Sequence, residues 1–188
     1  MRILTEFFTD WRTTGAVVGT SRFTRDKMFD RLDWRNVRTA VELGPGTGCV
    51  TRSILGRLPR NSRLVALEIN PRFVHRLRNE VRDERLAVVE GSACQLPRLL
   101  REQGLPQADL IVSTLPFSTL APALRREIVR AATEALSSEG RLVAIQYQPF
   151  VLPPLLQKSF GGVGLTMSWI NVPPAFVYTC TLPSSPSA

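Results

Sequence analysis

The chain has 188 residues, 44% of them hydrophobic and 21% charged, which suits one domain with its own core and excludes a disordered tail. Lys and Arg total 24 against 16 for Asp and Glu, so the net charge is +8. That excess favours phosphate-rich partners, either nucleic acid or an anionic membrane, without choosing between them.

The first predicted element is a short amphipathic helix over residues 2–13. Its apolar side chains lie on one face at helical spacing: Ile3, Leu4, Phe7, Phe8 and Trp11. Such a helix either packs on its own domain or lies in the headgroup region of an anionic membrane. Helical spacing returns over residues 22–32, after a glycine-containing connection. We therefore divide the chain into an amphipathic and basic N-terminal segment, residues 1–38, and a main domain, residues 39–188.

From residue 39 onwards, apolar runs and helical patterns alternate, which predicts a parallel sheet with helices on both faces. Asn70 can cap a helix whose first residue is Pro71. The predicted strands are residues 39–43, 64–68, 86–90, 108–113 and 141–147, with two closing strands within 163–172 and 175–182 joined by a turn at Pro173-Pro174. The predicted helices are residues 49–58, a charged stretch from 72 to 83, and residues 122–136, ended by a turn at 137–140.

A glycine loop at residues 44–48 joins the first of these strands to the helix that follows, and such a loop brings backbone close to a nucleotide-like ligand. Its glycines are spaced GxGxG rather than GxGxxG, with Glu42 two residues before the first, and nothing in the loop would clamp a pyrophosphate. Glu68 ends the next strand, where its carboxylate can accept hydrogen bonds from both hydroxyls of a ribose. Together these features favour a nucleoside cofactor without phosphates.

With these motifs in this order, the chain resembles class I S-adenosylmethionine-dependent methyltransferases. The matching motifs are ELGPGTG at 42–48, LEIN at 67–70, GSA at 91–93 and the Leu-Pro-Phe turn at 113–117. The resemblance implies an α/β fold with a single Rossmann-like, doubly wound sheet of seven strands, the last antiparallel, and S-adenosylmethionine as cofactor. The cofactor-binding residues that it implies are Glu42, Gly44, Gly46, Thr47 and Gly48 by the methionine part, Glu68 at the ribose, Ile69, Ser92 and Ala93 at the adenine, and Ser113. Many relatives have Asp at the position of Ser92.

A narrower resemblance covers nearly the whole chain. Residues 7–28, 113–120 and 171–180 are similar to bacterial phospholipid N-methyltransferases, which convert phosphatidylethanolamine stepwise to phosphatidylcholine. Ribosomal RNA adenine dimethyltransferases share the Leu-Pro-aromatic turn and are the alternative, but theirs usually starts with Asn where this chain has Ser113-Thr114. They also commonly carry a further helical domain, so no nucleic acid partner is expected. An ornithine lipid stays open as the acceptor, as do the number of methyl groups and the oligomeric state.

Methyl transfer to an amine needs a neutral nitrogen lone pair aligned behind the sulfonium methyl group. We assign the turn after the fourth strand to the amine, because it offers hydroxyls, a carbonyl before proline and an aromatic wall for a methylammonium. The turn residues are Ser113, Thr114, Leu115, Pro116 and Phe117.

Tyr147 ends the fifth strand, at the edge where open α/β sheets place their sites. With Ser113 and Thr114 it forms the predicted catalytic set, in which it would accept a proton or contact the cationic nitrogen. The alternative is a core or rim aromatic whose hydroxyl is satisfied.

Two predictions concern the lipid itself. Arg22 and Arg25, with Lys27, either hold the lipid phosphate or are solvated. The apolar residues 150–156 either form a wall of an acyl-chain groove or pack as a buried loop.

The remaining composition argues against metal or triad chemistry. Cys49, Cys94 and Cys180 have no CxxC spacing, and the single histidine, His75, lies in a charged helical stretch. No metal is therefore expected. The sequence shows no run of about 20 apolar residues and no signal-peptide pattern. We expect a cytoplasmic protein, attached peripherally to the inner face of the cytoplasmic membrane through its N-terminal helix.

Overall fold

A computed structural model describes residues 22–169 and 173–183, with only the backbone at Arg22. The amphipathic helix expected over residues 2–13 lies outside the described residues, as does the side chain of Arg22. Among the helices that are described, none is long and apolar enough to cross a membrane.

The described part of the chain forms one sheet of seven strands with helices on both faces. The strands are β1 Thr39–Leu43, β2 Arg63–Glu68, β3 Leu86–Glu90, β4 Ala108–Ser113, β5 Leu136–Gln146, β6 Gly162–Ser168 and β7 Ala175–Thr181. The helices are α1 Arg22–Phe29, α2 Cys49–Leu55, α3 Pro71–Glu80, α4 Leu96–Glu102, α5 Pro122–Ala135 and α6 Pro153–Ser159. The sheet order is β3-β2-β1-β4-β5-β7-β6, and β7 is antiparallel to both of its neighbours. This confirms the predicted fold, including the antiparallel last strand.

Two apolar clusters fill the space on either side of the sheet. Because successive side chains of a strand point to opposite faces, Leu142 and Ala144 of β5 join one cluster while Val143 and Ile145 join the other. The first face, as we call it, is covered by α4, α5 and α6, and the second face by α1 and α2. All five residues of β1 are buried, as expected for a parallel strand with both faces covered.

The start of α3 follows from its local sequence. The side chain of Asn70 accepts a hydrogen bond from the backbone N–H of Arg72 at 3.0 Å, and Pro71 is the first helical residue. Proline suits this position because its missing N–H has no partner within the helix. The predicted helix start is confirmed.

The junction between α5 and β5 differs from the prediction. The expected turn at residues 137–140 is wrong, because β5 begins at Leu136 directly after α5. Ala108 pairs with Leu136 but Leu110 pairs with Arg141, so the extra residues form an irregularity within the strand. Burial explains this path, since Leu136 is 2% exposed and anchors the chain in the core as it leaves the helix.

Other helix limits also differ. The helices expected over 22–32 and 49–58 end at Phe29 and Leu55, and α4 and α6 were not predicted. Both of the missed helices carry proline in their first turn, where it is tolerated.

Strands β1 to β5 run parallel, so the loops that follow them meet at one edge of the sheet, which we call the carboxyl edge. The glycine loop, Glu68, residues 91–93, the turn at 113–117 and Tyr147 all lie at this edge. Open α/β sheets bind their ligands there.

Candidate active site

The glycine loop after β1 requires glycine for two separate reasons. Gly44, Gly46 and Gly48 all have positive φ, at 76°, 52° and 79°. A Cβ atom would approach Leu115 Cδ2 to 2.8 Å at Gly44 and Leu77 Cδ1 to 2.5 Å at Gly48, whereas at Gly46 it would meet nothing within 4 Å. The backbone therefore packs against protein at both ends of the loop and faces open space in its middle, where a ligand can approach.

Glu68 ties the end of β2 to this loop. Its side chain accepts hydrogen bonds from the N–H of Gly46 at 3.2 Å and from the N–H of Asn70 at 2.9 Å. Burial raises the pKa of Glu68, and the bonds from Asn70 and Gly46 oppose that effect. Each carboxylate oxygen can accept a further bond, so the group can orient the loop and still receive ribose hydroxyls.

Glu42 is fully buried below the glycine loop. Its Oε2 accepts a hydrogen bond from Thr51 Oγ1 at 2.6 Å, while its Oε1 has no partner in the described part of the chain. The pKa of Glu42 is raised to about 8, mainly by burial; the hydrogen bond from Thr51 opposes that rise and the nearby charge of Glu68 adds to it. An unpaired acidic oxygen beside an open loop suits a cationic group on a ligand. The sequence did not single out Thr51, because nothing in its local pattern shows that it faces Glu42.

The loop after β3 lies beside Glu68. The N–H of Gly91 donates to the backbone carbonyl of Glu68 at 2.9 Å, and Ser92 Oγ accepts a hydrogen bond from the N–H of Cys94 at 3.3 Å. Ser92 and Ala93 are half-buried, like Ile69. The structure thus brings the three residues that were predicted for the adenine to one corner of the site.

The turn after β4 is joined to the glycine loop through Thr114. Its Oγ1 donates to the carbonyl of Gly44 at 2.6 Å, and its N–H donates to the carbonyl of Leu43 at 3.1 Å. Ser113 precedes it on the strand and points to the first face, where it is 1% exposed and its Oγ accepts a hydrogen bond from the N–H of Leu115 at 3.4 Å. The structure therefore separates the two predicted hydroxyls, with Thr114 alone directed to the glycine loop.

Two features of this turn differ from the prediction. The carbonyl before Pro116 belongs to Leu115 and already accepts bonds from Gln146 Nε2 at 2.8 Å and from the N–H of Phe117 at 3.0 Å, so both of its lone pairs are used. Its expected role as a free acceptor for the amine is wrong. The aromatic wall is wrong as well, because Phe117 is 3% exposed and packs in the first-face core. Thr114, Leu115 and Pro116 are the half-buried residues of this turn.

Gln146 is a residue of this site that sequence reasoning missed. It is 4% exposed at the end of β5, and its side-chain amide joins that strand to the turn after β4. The sequence signal that could have indicated Gln146 is its polar side chain within the otherwise apolar run of β5.

Tyr147 follows Gln146 and faces the opposite side of the sheet. Its ring packs against the second-face cluster, and its hydroxyl is buried without a partner among the described residues. The alternative interpretation expected this hydroxyl to have a hydrogen-bond partner, and the described part of the chain provides none. The catalytic role of Tyr147 stays a prediction.

The predicted lipid-phosphate set is only partly described. Arg25 Nε donates to Ser53 Oγ at 2.9 Å, which fixes the guanidinium of α1 against α2. Lys27 is exposed. No phosphate site is assembled by the described side chains of this set.

Comparison with known proteins gives a family match and a relative that spans nearly the whole chain. Residues 41–142 match the family model described as a methyltransferase domain. An ornithine lipid N-methyltransferase from Singulisphaera acidiphila is 30% identical over 178 residues, which cover 94% of this chain and 93% of that protein.

Relatives that act on RNA match less of their own length. A tRNA1(Val) (adenine(37)-N6)-methyltransferase from Actinobacillus pleuropneumoniae is 34% identical over 110 residues, covering 55% of this chain and 44% of that protein.

Solved structures share the fold at low identity. A precorrin-6y C5,15-methyltransferase from Geobacter metallireducens superposes with a TM-score of 0.69 at 20% identity, covering 90% of this chain and 93% of the other. The N-methyltransferase NodS from Bradyrhizobium japonicum, in complex with S-adenosyl-L-homocysteine, also has a TM-score of 0.69, at 16% identity, covering 93% of this chain and 92% of the other.

Proposed function

The chain belongs to the methyltransferase domain family, whose class I members use S-adenosylmethionine, and from that premise we propose that it methylates the amine of a membrane lipid. The observation that carries the proposal is the match along nearly the full length of both chains to an ornithine lipid N-methyltransferase. We therefore propose an ornithine lipid as the first acceptor, ahead of phosphatidylethanolamine.

The residues at the carboxyl edge fit the cofactor. When bound, S-adenosylmethionine supplies a methyl group carried on a sulfonium cation. The unpaired Glu42 Oε1 would lie toward the positive charge of the methionine part, and the open space beside Gly46 leaves room for the ligand. Glu68 would accept the ribose hydroxyls, with Ile69 and residues 92–93 at the adenine.

The chain's own groups then have to receive and orient the amine. Thr114 is fixed to the glycine loop and so sets the distance between the turn and the cofactor site. The unpaired hydroxyl of Tyr147 can accept a hydrogen bond from the N–H of the amine and so orient its lone pair. Desolvation at this buried edge favours the neutral amine, which has the lone pair that the reaction requires.

The distribution of charge supports a lipid acceptor over RNA. The segments that follow β4 and β5 and the closing strands contain no Asp, Glu, Lys or Arg over residues 110–124, 142–157 and 159–183. RNA-binding surfaces need Lys and Arg to contact phosphates. On this half of the carboxyl edge the chain offers apolar and neutral polar groups instead. The expected location at the inner face of the cytoplasmic membrane is part of the same proposal.

The test is incubation of the purified chain with cofactor labelled in its methyl group and with separate samples of ornithine lipid vesicles, phosphatidylethanolamine vesicles, and ribosomal or transfer RNA, followed by chromatography of the lipids and of the RNA. The label should enter the ornithine lipid faster than phosphatidylethanolamine. The reverse order would make phosphatidylethanolamine the acceptor, and label only in added ribosomal or transfer RNA would overturn the proposal. Gly46→Val is the matched inactive control, because a branched side chain at this positive φ strains the loop.

A further inference from the structure

Four large apolar side chains are exposed near the site and have no role in the proposed chemistry. They are Phe150, Leu165, Met167 and Trp169, with exposed fractions of 85%, 52%, 39% and 69%. We call this group the apolar rim. Leu165 and Met167 lie on β6, which is the edge strand of the sheet.

Strand register places the rim at the carboxyl edge. Phe176 of β7 pairs with Gln146 of β5 on one side and with Met167 of β6 on the other. Since β7 is antiparallel to both, β5 and β6 run in the same direction, and Met167 is level with the last residue of β5. Trp169 comes two residues later and therefore extends past the end of the sheet, on the side of the active site.

Leu165 and Met167 of the rim also share a face of the sheet. Leu165 pairs with Tyr178 and Met167 with Phe176, and residues paired in this way point to the same face. Tyr178 and Phe176 pack in the first-face cluster, and the Tyr178 hydroxyl donates to the carbonyl of Pro149 at 3.2 Å. That bond holds the loop that carries Phe150 next to β7, close to the first-face side chains of β6.

The charge pattern indicates the chemistry of the partner. The chain carries a net charge of +8, yet no charged residue occurs within residues 142–157 or 159–183, which contain the whole rim. An uncharged, aromatic-containing surface on a basic protein suits the acyl and glycerol region of an anionic bilayer, with the basic remainder facing the headgroups.

We propose that the apolar rim docks on a phospholipid bilayer and enters its interfacial region. This inference rests on the proposed function, because an acceptor with its acyl chains in a membrane requires the active site to open toward that membrane. The rim lies at the edge that carries Glu68 and Thr114, so insertion brings lipid headgroups to the site without removing the lipid from the bilayer.

The first test measures which tryptophan enters the bilayer. The chain has three, Trp11, Trp34 and Trp169, and Trp34 is half-buried in an edge-to-face contact with Phe29 at 5.3 Å. Vesicles of phosphatidylethanolamine and phosphatidylglycerol with brominated acyl chains should quench the emission of the unaltered chain. Trp169→Phe should remove a large part of that quenching. This expectation holds even if Trp11→Phe also removes some of it. Quenching that is lost only in Trp11→Phe, or that is absent, would overturn the proposal.

The second test charges the rim. Phe150→Glu combined with Trp169→Glu should lower binding to the same vesicles on the order of tenfold or more. Gln103→Glu combined with Gln107→Glu is the matched control, because both are exposed at the opposite edge and add the same charge. Calorimetric affinity for S-adenosyl-L-homocysteine should stay unchanged in both double variants and so shows that each is folded. Equal loss of vesicle binding in the two would overturn the proposal.

Other occupants of the rim give different results. If a second copy of the chain covers β6, light scattering will show a dimer that the rim variant dissociates, and that result would overturn bilayer docking. If the N-terminal segment covers the apolar rim, deletion of residues 1–12 will increase the quenching of Trp169 by acrylamide. That result would also overturn bilayer docking.

Failure of the docking proposal and failure of the proposed function are separable. Methylation of lipid in detergent micelles without insertion of Trp169 into vesicles would overturn the rim and leave the function standing. Insertion of Trp169 without methylation of any lipid would refute the proposed function while the docking result stands.

Discussion

Glu42 is buried with one oxygen bonded to Thr51 and the other unpaired. Its pKa is raised by burial from the ordinary 4.5 to about 8. Between these values the folded chain holds a proton that the unfolded chain has released, so this group makes the free energy of unfolding fall as the pH rises. A cationic ligand next to Glu42 reverses the effect by favouring the carboxylate.

We therefore expect Glu42→Gln to gain stability relative to the unaltered chain as the pH rises from about 5 to about 8, because the amide has no proton to hold. Thermal unfolding without ligand measures this. Cofactor binding should release a proton in the unaltered chain and not in the variant, as shown by calorimetry in buffers of different ionisation enthalpy. Equal proton release in both would remove Glu42 from the cofactor site.

Tyr147→Phe separates catalysis from packing. Removing an unpaired buried hydroxyl should leave the free energy of unfolding unchanged or slightly higher, while turnover falls by about 10² to 10⁴ if the hydroxyl handles the amine proton. Tyr178→Phe is the matched control, because it breaks the bond to Pro149 and should cost about 0.5–1.5 kcal/mol of stability. Wild-type turnover in Tyr147→Phe would make Tyr147 a packing residue only.

At the residue scale, spacing was enough to predict that the glycine loop after β1 and Glu68 at the end of β2 lie close together. The glycine loop and Glu68 were predictable because they occupy fixed positions relative to their own strands. Ser113 and Thr114 were assigned together, yet Ser113 Oγ is bonded to the N–H of Leu115 whereas Thr114 Oγ1 is bonded to the glycine loop, and Gln146 acts through a contact between the end of β5 and the turn after β4. Such contacts depend on the register of neighbouring strands, which a single sequence does not display.

At the scale of elements, a side-chain hydrogen bond from Gln146 joins the end of β5 to the turn after β4. Gln146→Leu should leave the Leu115 carbonyl with only the N–H of Phe117 as a partner, costing about 1–3 kcal/mol of stability. The turn that orients the amine then loses one of its hydrogen bonds, whereas the glycine loop that binds the cofactor keeps its own. We therefore expect kcat to fall more than cofactor affinity does. Steady-state kinetics and calorimetry measure the two effects.

Gln148→Leu is the matched control for this variant, since it makes the same change at an exposed position two residues later. It should alter neither stability nor kcat. If the two variants behave alike, the bond to the Leu115 carbonyl has no role in placing the turn.

The elements themselves were predicted unevenly. The alternation of strands and helices and the cap at Asn70 were confirmed because each is a local pattern. The irregular start of β5 was not predicted, because it depends on Leu136 being buried against the rest of the core and on pairing with Ala108. Helices α4 and α6 were not predicted, because each has only seven residues and so shows too little of a helical repeat in its sequence.

At the scale of the whole molecule, charge is distributed unequally. A net charge of +8 coexists with a carboxyl edge whose later segments carry no charge. The basic remainder should govern the first encounter with an anionic membrane, and the apolar rim should govern how long the chain stays there.

Because the basic residues and the apolar rim have these separate roles, we expect the activity of the membrane-bound chain to depend only weakly on salt concentration. Methylation of lipid in vesicles without anionic lipid should persist when the salt concentration is raised, whereas association with anionic vesicles should slow. Initial rates and stopped-flow binding measure these separately. A steep fall of both with salt, as for a protein that neutralises several phosphates, would favour a nucleic acid partner instead.

Mass spectrometry of intact lipids can show whether the chain transfers methyl groups to a lipid amine. Vesicles that contain ornithine lipid and phosphatidylethanolamine together, with RNA in the same solution, are incubated with the chain and unlabelled cofactor. We expect the ornithine lipid to gain one or more methyl masses, fragmentation to place them on the ornithine amine, and Gly46→Val to give none. Unmodified lipids beside methylated adenine in the RNA would contradict this expectation.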